Sequence, residues 1–189
     1  MAAEGEPLVL RIALIGLPGA GKSTVAPLLA RGLGLTSVDL DQEIERLAGR
    51  SVSAILEEEG EERFRDLESL ALAQVLDLDR PLVLACGGGI LGRTKNRDLL
   101  KARVRVVWLA VDPATAAARL GPSGRSGRPL LRGGGLAERL QALLESRGPG
   151  YAGAAEAVVD TDGRAPEEVA GRIAASLAAS RAPWDRSGS

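Results

Sequence analysis

The chain has 189 residues, 45% of them hydrophobic, and carries 24 Lys and Arg against 25 Asp and Glu for a formal net charge of −1. That length favours one domain with a sizeable core, and balanced charge speaks against a nucleic-acid binder, which shows a basic excess or stripe. There is no histidine and a single cysteine, Cys86, so imidazole bases, histidine triads, His or Cys-rich metal sites and intrachain disulfides are excluded, leaving carboxylates, Lys, Arg, hydroxyls and backbone N–H groups for any chemistry.

The first residues, Met-Ala-Ala-Glu-Gly-Glu-Pro, are acidic rather than basic, and no stretch approaches the ~18 consecutive apolar residues of a membrane span. The expectation is a soluble, cytoplasmic protein that meets neither membrane nor nucleic acid. A β-branched run at residues 9–15 reads as a buried strand. It leads into Gly16-Leu-Pro-Gly-Ala-Gly-Lys-Ser23-Thr24, and a helix is expected over 22–32. This is the G-x-x-x-x-G-K-[ST] pattern in its required setting between strand and helix. Glycines let the backbone turn its N–H groups around a phosphate, and the helix adds its positive end. Gly19, Ala20, Gly21, Lys22, Ser23 and Thr24 are therefore expected to bind a nucleotide, with Lys22 on the outer phosphates and the Ser23 hydroxyl on Mg²⁺.

A weak strand at 35–38 ends in Val38-Asp39-Leu40-Asp41. Acids beyond the carboxyl end of a parallel strand face the ligand crevice, although Asp41 is equally suited to cap a helix over 42–48. One long helix is expected over 53–76, carrying Phe64-Arg65-Asp66-Leu67-Glu68 among many acids. Arg65 can pair with Glu61 and Glu68 one turn away, or present a guanidinium fork to a carboxylate. A strand at 81–85 runs into Cys86 and the triplet Gly87-Gly88-Gly89, where a backbone without side chains permits close approach of a small ligand. Cys86 reads as an apolar filler. A helix at 94–102, a strand at 104–109 and a helix at 113–120 follow. The Gly- and Arg-rich segment 121–135 suits a mobile lid, and helix 136–146, strand 157–159 and helix 166–179 complete the series. Strands alternating with helices predict a three-layer α/β/α fold around a five-stranded parallel sheet. The expected organisation is one domain over 1–180 and a frayed polar tail over 181–189.

Taken in order, GLPGAGKST, VDLDQEIE, FRDLE, GGG, RPLL and a later Arg-x-x-x-Tyr resemble the shikimate kinase family of P-loop kinases, over nearly the whole chain. The resemblance implies ATP-dependent phosphorylation of the 3-hydroxyl of shikimate, with Mg²⁺, in aromatic amino-acid biosynthesis. It implies that Asp41 contacts the ring hydroxyls and orients or deprotonates the attacking one, and that Asp39 assists Mg²⁺ beside Ser23. Arg65 and Arg147 would grip the substrate carboxylate and Gly88 would supply a backbone contact. Arg128, in Arg-Pro-Leu-Leu, would reach the ATP phosphates, and Arg164 would lie on the adenine side. Phosphoryl transfer asks for positioning and charge neutralisation, so a chain without histidine loses nothing. A gluconate-kinase-like enzyme and a ligand-sensing domain without turnover are the other readings. Relatives of the first kind commonly place a histidine soon after the second-strand acid, and those of the second commonly lack a catalytic charge. A monomer is expected.

Overall fold

Five parallel strands form one sheet in the order β2-β3-β1-β4-β5, comprising β1 (Arg11–Ile15), β2 (Thr36–Asp39), β3 (Leu82–Ala85), β4 (Arg105–Ala110) and β5 (Ala157–Asp160). The computed structural model describes residues 9–121 and 135–179. Every residue of β1 and β3 is buried, as a strand covered on both faces requires, whereas edge strands β2 and β5 bury only Val38 and Val159. The covering helices are α1 (Lys22–Leu33), α2 (Leu40–Ala48), α3 (Val52–Glu58), α4 (Gly60–Asp77), α5 (Thr94–Arg103), α6 (Pro113–Leu120), α7 (Leu136–Ala154) and α8 (Pro166–Ala179). The core is aliphatic, built on residues such as Ile12, Leu14, Leu72, Val83, Leu109 and Ile173.

Register decides where the ligand crevice lies. Leu14 pairs with Ala85, and Ala85 with Asp39, so β1, β3 and β2 end level with one another. The phosphate loop, the Asp39–Asp41 pair and the glycine triplet therefore leave from one rim of the sheet. Trp108 pairs with Ile15 and Ala110 with Asp160, which adds the loop after β5 to the same rim. Because β1 is followed by β2 across β3, the chain reverses its winding direction here, where open α/β sheets bind ligands.

Two elements differ from the sequence reading. The helix expected over 53–76 is two helices, with Ser51 capping α3 through Ala54 N–H at 3.2 Å and Gly60 taking a left-handed φ of 85° at the break. Glycine reaches that region without a Cβ clash, and ion pairs from Arg50 to Glu58 and Glu59 fix the corner. The helix expected to stop at 146 continues to Ala154 through Pro149. Tertiary burial explains the continuation, since Tyr151 in the added turn is 1% exposed. Proline there removes one donor, a smaller loss than leaving that ring in water. The expected lid lies almost wholly outside the described residues, as does the tail over 181–189.

Candidate functional site

Strand β1 delivers the phosphate loop and α1 receives it, with Gly21 at a φ of 89° as the residue before the helix. The loop seats on α6, since a Cβ on Gly19 would lie 2.6 Å from the Ala116 carbonyl oxygen. Lys22 Nζ donates to the Gly16 and Leu17 carbonyl oxygens at 2.9 and 2.8 Å, which holds its charge over the cradle. A cleft of about 480 Å³ opens above, lined by residues 18–25 together with Asp39, Asp41, Gly87, Gly88, Arg119 and Arg164. Every expected nucleotide-side residue among the described ones, Gly19, Ala20, Gly21, Lys22, Ser23, Thr24 and Arg164, lines this cleft. Arg128 lies outside the described residues.

The two acids divide their work differently from one sequence alternative. Asp39, not Asp41, caps α2, accepting Asp41 N–H at 3.0 Å. Asp41 sits in the first turn with its side chain on the cleft wall. Ser23 and Asp39 offer a hydroxyl and a carboxylate to the same space. These are hard oxygen donors suited to Mg²⁺, which keeps several waters and takes phosphate oxygens. Among the described residues no cluster of three His, Cys, Asp or Glu forms a protein-only cage, so the donor set fits a cation arriving with a phosphate ligand.

A second cleft, about 250 Å³, is lined by Arg65, Arg147, Gly88, Gly89 and Tyr151 among others, and Gly88 forms a wall of both. The glycine triplet makes this convergence possible. A Cβ on Gly87 would lie 2.8 Å from Glu68 Oε1 and 3.6 Å from Asp41 Oδ1, one on Gly88 would lie 3.5 Å from Arg147, and one on Gly89 would run into the Arg65 guanidinium. Three successive residues thus clear room for two carboxylates and two guanidinium groups.

Arg65 bonds Glu68 at 2.9 Å and Glu61 at 3.1 Å, so the helical ion pairing considered from sequence exists. It is no solvated surface pair, because the Arg65 side chain is 15% and that of Glu68 0% exposed. Burial opposes the Arg65 charge, but the two glutamates outweigh it and hold the guanidinium above its ordinary range. Burial pushes the Glu68 carboxyl up, with Arg65 opposing. Burial likewise pushes the Cys86 thiol far up, consistent with an inert filler.

Sequence reasoning did not single out Glu68, Tyr151 or Arg119 as site residues. Tyr151 is buried, donates its hydroxyl to the Gly88 carbonyl, lies beside Arg147 on the second cleft, and packs its ring 5.7 Å from that of Trp108. Tyr151→Phe is expected to lower unfolding free energy by about 0.5–1.5 kcal/mol in a urea titration, the net worth of the one hydrogen bond it removes. Arg119 donates to Thr161 Oγ1 at 2.9 Å and to its carbonyl, tying α6 to the loop after β5. Nothing in the sequence separates it from other arginines at helix ends. Arg164 bonds the Asp160 carbonyl at 3.1 Å and Glu168 at 2.9 Å across that loop.

A family model described as shikimate kinase matches residues 18–178. A shikimate kinase of Thermobifida fusca is 48% identical over 167 residues, 88% of this chain and 94% of that one. Another, of Symbiobacterium thermophilum, is 42% identical over 87% of this chain and 94% of its own length. The solved structure of a shikimate kinase from Acinetobacter baumannii in complex with shikimate superposes with a TM-score of 0.87 at 34% identity, over 93% of this chain and 96% of that one. A gluconokinase of Sinorhizobium meliloti shares the fold at a TM-score of 0.56 and only 18% identity.

Proposed function

This chain belongs to the shikimate kinase family, and on that premise we propose that it transfers the γ-phosphoryl group of ATP to the 3-hydroxyl of shikimate, giving shikimate 3-phosphate and ADP for aromatic amino-acid biosynthesis. The observation that carries this reading is the pair of clefts joined at Gly88, a phosphate cradle with Asp41 on its wall on one side and two arginines on the other.

The division of labour follows from the chemistry of each group. The loop N–H groups of residues 19–24 and Lys22 hold the triphosphate, and Lys22 neutralises charge that builds on the transferring group. Arg65 and Arg147 bind the shikimate carboxylate, which fixes the ring against the glycine triplet, with Gly88 contributing its backbone. Asp41 accepts the proton of the 3-hydroxyl while that oxygen bonds the γ-phosphorus and the bond to the leaving ADP oxygen breaks. Ser23 and Asp39, the latter through water, would hold Mg²⁺, which would offset the charge of the phosphates when bound. Arg128, outside the described residues, is assigned to the phosphates by its sequence context, and Arg164 to the adenine side. Residues 1–180 are taken as one domain with a lid over about 121–135, followed by a tail over 181–189. No helix among the described residues is long and apolar enough to cross a membrane, and we assign a cytoplasmic monomer.

The test is ADP release with shikimate, quinate, gluconate and AMP as acceptors. Response to shikimate alone supports the assignment, and response to gluconate or to none of the four overturns it. Arg65→Ala or Arg147→Ala is expected to raise KM for shikimate by roughly 10–150-fold, the equivalent of one charge-assisted contact of ~1.5–3 kcal/mol. Initial-rate kinetics with unchanged KM in both variants would remove the clamp.

A further inference from the structure

Glu68 combines features that the transfer chemistry leaves unused. Its side chain is fully buried, one carboxylate oxygen bonds Arg65 at 2.9 Å, and the other, Oε1, has no hydrogen-bond partner. That unpartnered oxygen lies against Gly87, on the side from which Asp41 Oδ1 also approaches. The groups acting on it are Arg65 one turn back on its own helix, which also bonds Glu61, Asp41 from α2, Arg147 and Tyr151 from α7, and the Cys86 thiol just after β3. The guanidinium groups of Arg65 and Arg147 stand among the carboxylates of Glu68 and Asp41, and Glu61 takes a second bond from Arg65. A buried charge persists only while it is paired.

We propose that entry of the substrate carboxylate between Arg65 and Arg147 draws a proton from solvent onto Glu68, making this residue a proton-binding site coupled to substrate binding. The argument rests on the assignment of shikimate to this cleft. An incoming carboxylate adds a further negative charge to the cluster and takes over part of the Arg65 fork that now stabilises ionised Glu68. It also displaces water from the cleft, which deepens the desolvation of a carboxyl already held high by burial. All three changes favour the neutral acid. The proton adds to one carboxylate oxygen, no other bond is made or broken, and neutral Glu68 still accepts from Arg65 through its carbonyl oxygen. Because the liganded state then binds more protons than the free state, affinity for shikimate falls as pH rises between the two Glu68 pKa values. Glu68 acts here as a positioning residue, through Arg65, and not on the reacting atoms.

Calorimetric titration of shikimate into the full-length protein, in two buffers of different ionisation enthalpy and across mildly acidic to neutral pH, measures the coupling. The wild-type protein is expected to take up a fraction of a proton that approaches one at the optimal pH. Glu68→Gln, which keeps shape and a carbonyl acceptor, is expected to bind shikimate with no buffer dependence and a flatter pH profile. Equal heats in both buffers for the wild type, or undiminished uptake in Glu68→Gln, overturn the inference while leaving the clamp standing. Absence of any shikimate binding by the wild type overturns the clamp and the inference together. Difference infrared spectra of the wild-type protein give a readout independent of the variant's folding: the C=O band of a protonated carboxyl must grow on addition of shikimate, and an unchanged band overturns the proposal.

Discussion

Asp41→Asn is expected to lower kcat by about 10²–10⁴-fold while nucleotide affinity stays near that of the parent chain. Asparagine keeps the side-chain volume and the first-turn position in α2, which is set by the Asp39 cap and not by Asp41 itself. What disappears is a carboxylate able to accept the proton of the attacking hydroxyl. The loss falls on the chemical step, so single-turnover measurements with saturating shikimate should show the deficit in full. An unaltered kcat would remove Asp41 from the mechanism. Asp39→Asn makes a useful contrast, because that change strikes the helix cap and the water shell of the cation, and its effect should depend on Mg²⁺ concentration.

Gly19→Ala is expected to abolish measurable nucleotide binding or to weaken it by well over tenfold. Gly19 holds a φ of 83°, where a Cβ is strained, and that Cβ would sit 2.6 Å from a backbone oxygen of α6 and 3.1 Å from two further atoms of Ala116. Strain in that region costs about 1–3 kcal/mol, and overpacking against rigid backbone costs about as much again. Relief requires the phosphate loop to lift off α6, which disperses the N–H groups that must converge on one phosphate. Gly171→Ala supplies the matched control: it lies inside α8, its φ is not positive, and nothing stands within 4 Å of the added atom. That variant should bind nucleotide normally and unfold about 0.5–1 kcal/mol later. Equilibrium binding of an ATP analogue together with urea titrations of both variants checks the pair. Normal binding by Gly19→Ala would show that the contact with α6 yields freely.

How much of this could be read from residues alone depends on whether the determinant is local. The phosphate loop carries its function in nine consecutive residues, because backbone N–H groups and a helix end need no distant partner. The acids after β2 and the glycine triplet after β3 were legible for a related reason, since in a parallel sheet strand ends share a rim. Arg65 and Glu68 could be seen to share a helix face, but spacing on a helix does not say which face meets the core. Burial decides that, and it turns an apparent surface pair into a desolvated one. The break at Gly60 and the continuation through Pro149 escaped for opposite reasons. In the first, a glycine tolerated inside many helices is here used for its left-handed conformation. In the second, a residue that usually ends helices is overruled by the burial of Tyr151 two positions later. Arg119 joins the cleft only through the way α6 lies beside the loop after β5, a tertiary fact with no local mark.

The neighbourhood of Trp108 has a practical consequence. Its indole Cδ1 lies 3.3 Å from where a Cβ on Gly16 would stand, and its ring centroid is 5.7 Å from that of Tyr151. The chain has two tryptophans, so replacing Trp184 by Phe leaves one emitter in contact with the first glycine of the phosphate cradle. Such a chain carries its own optical gauge of nucleotide arrival, read as a change in emission intensity or wavelength without dye, isotope or coupling enzyme.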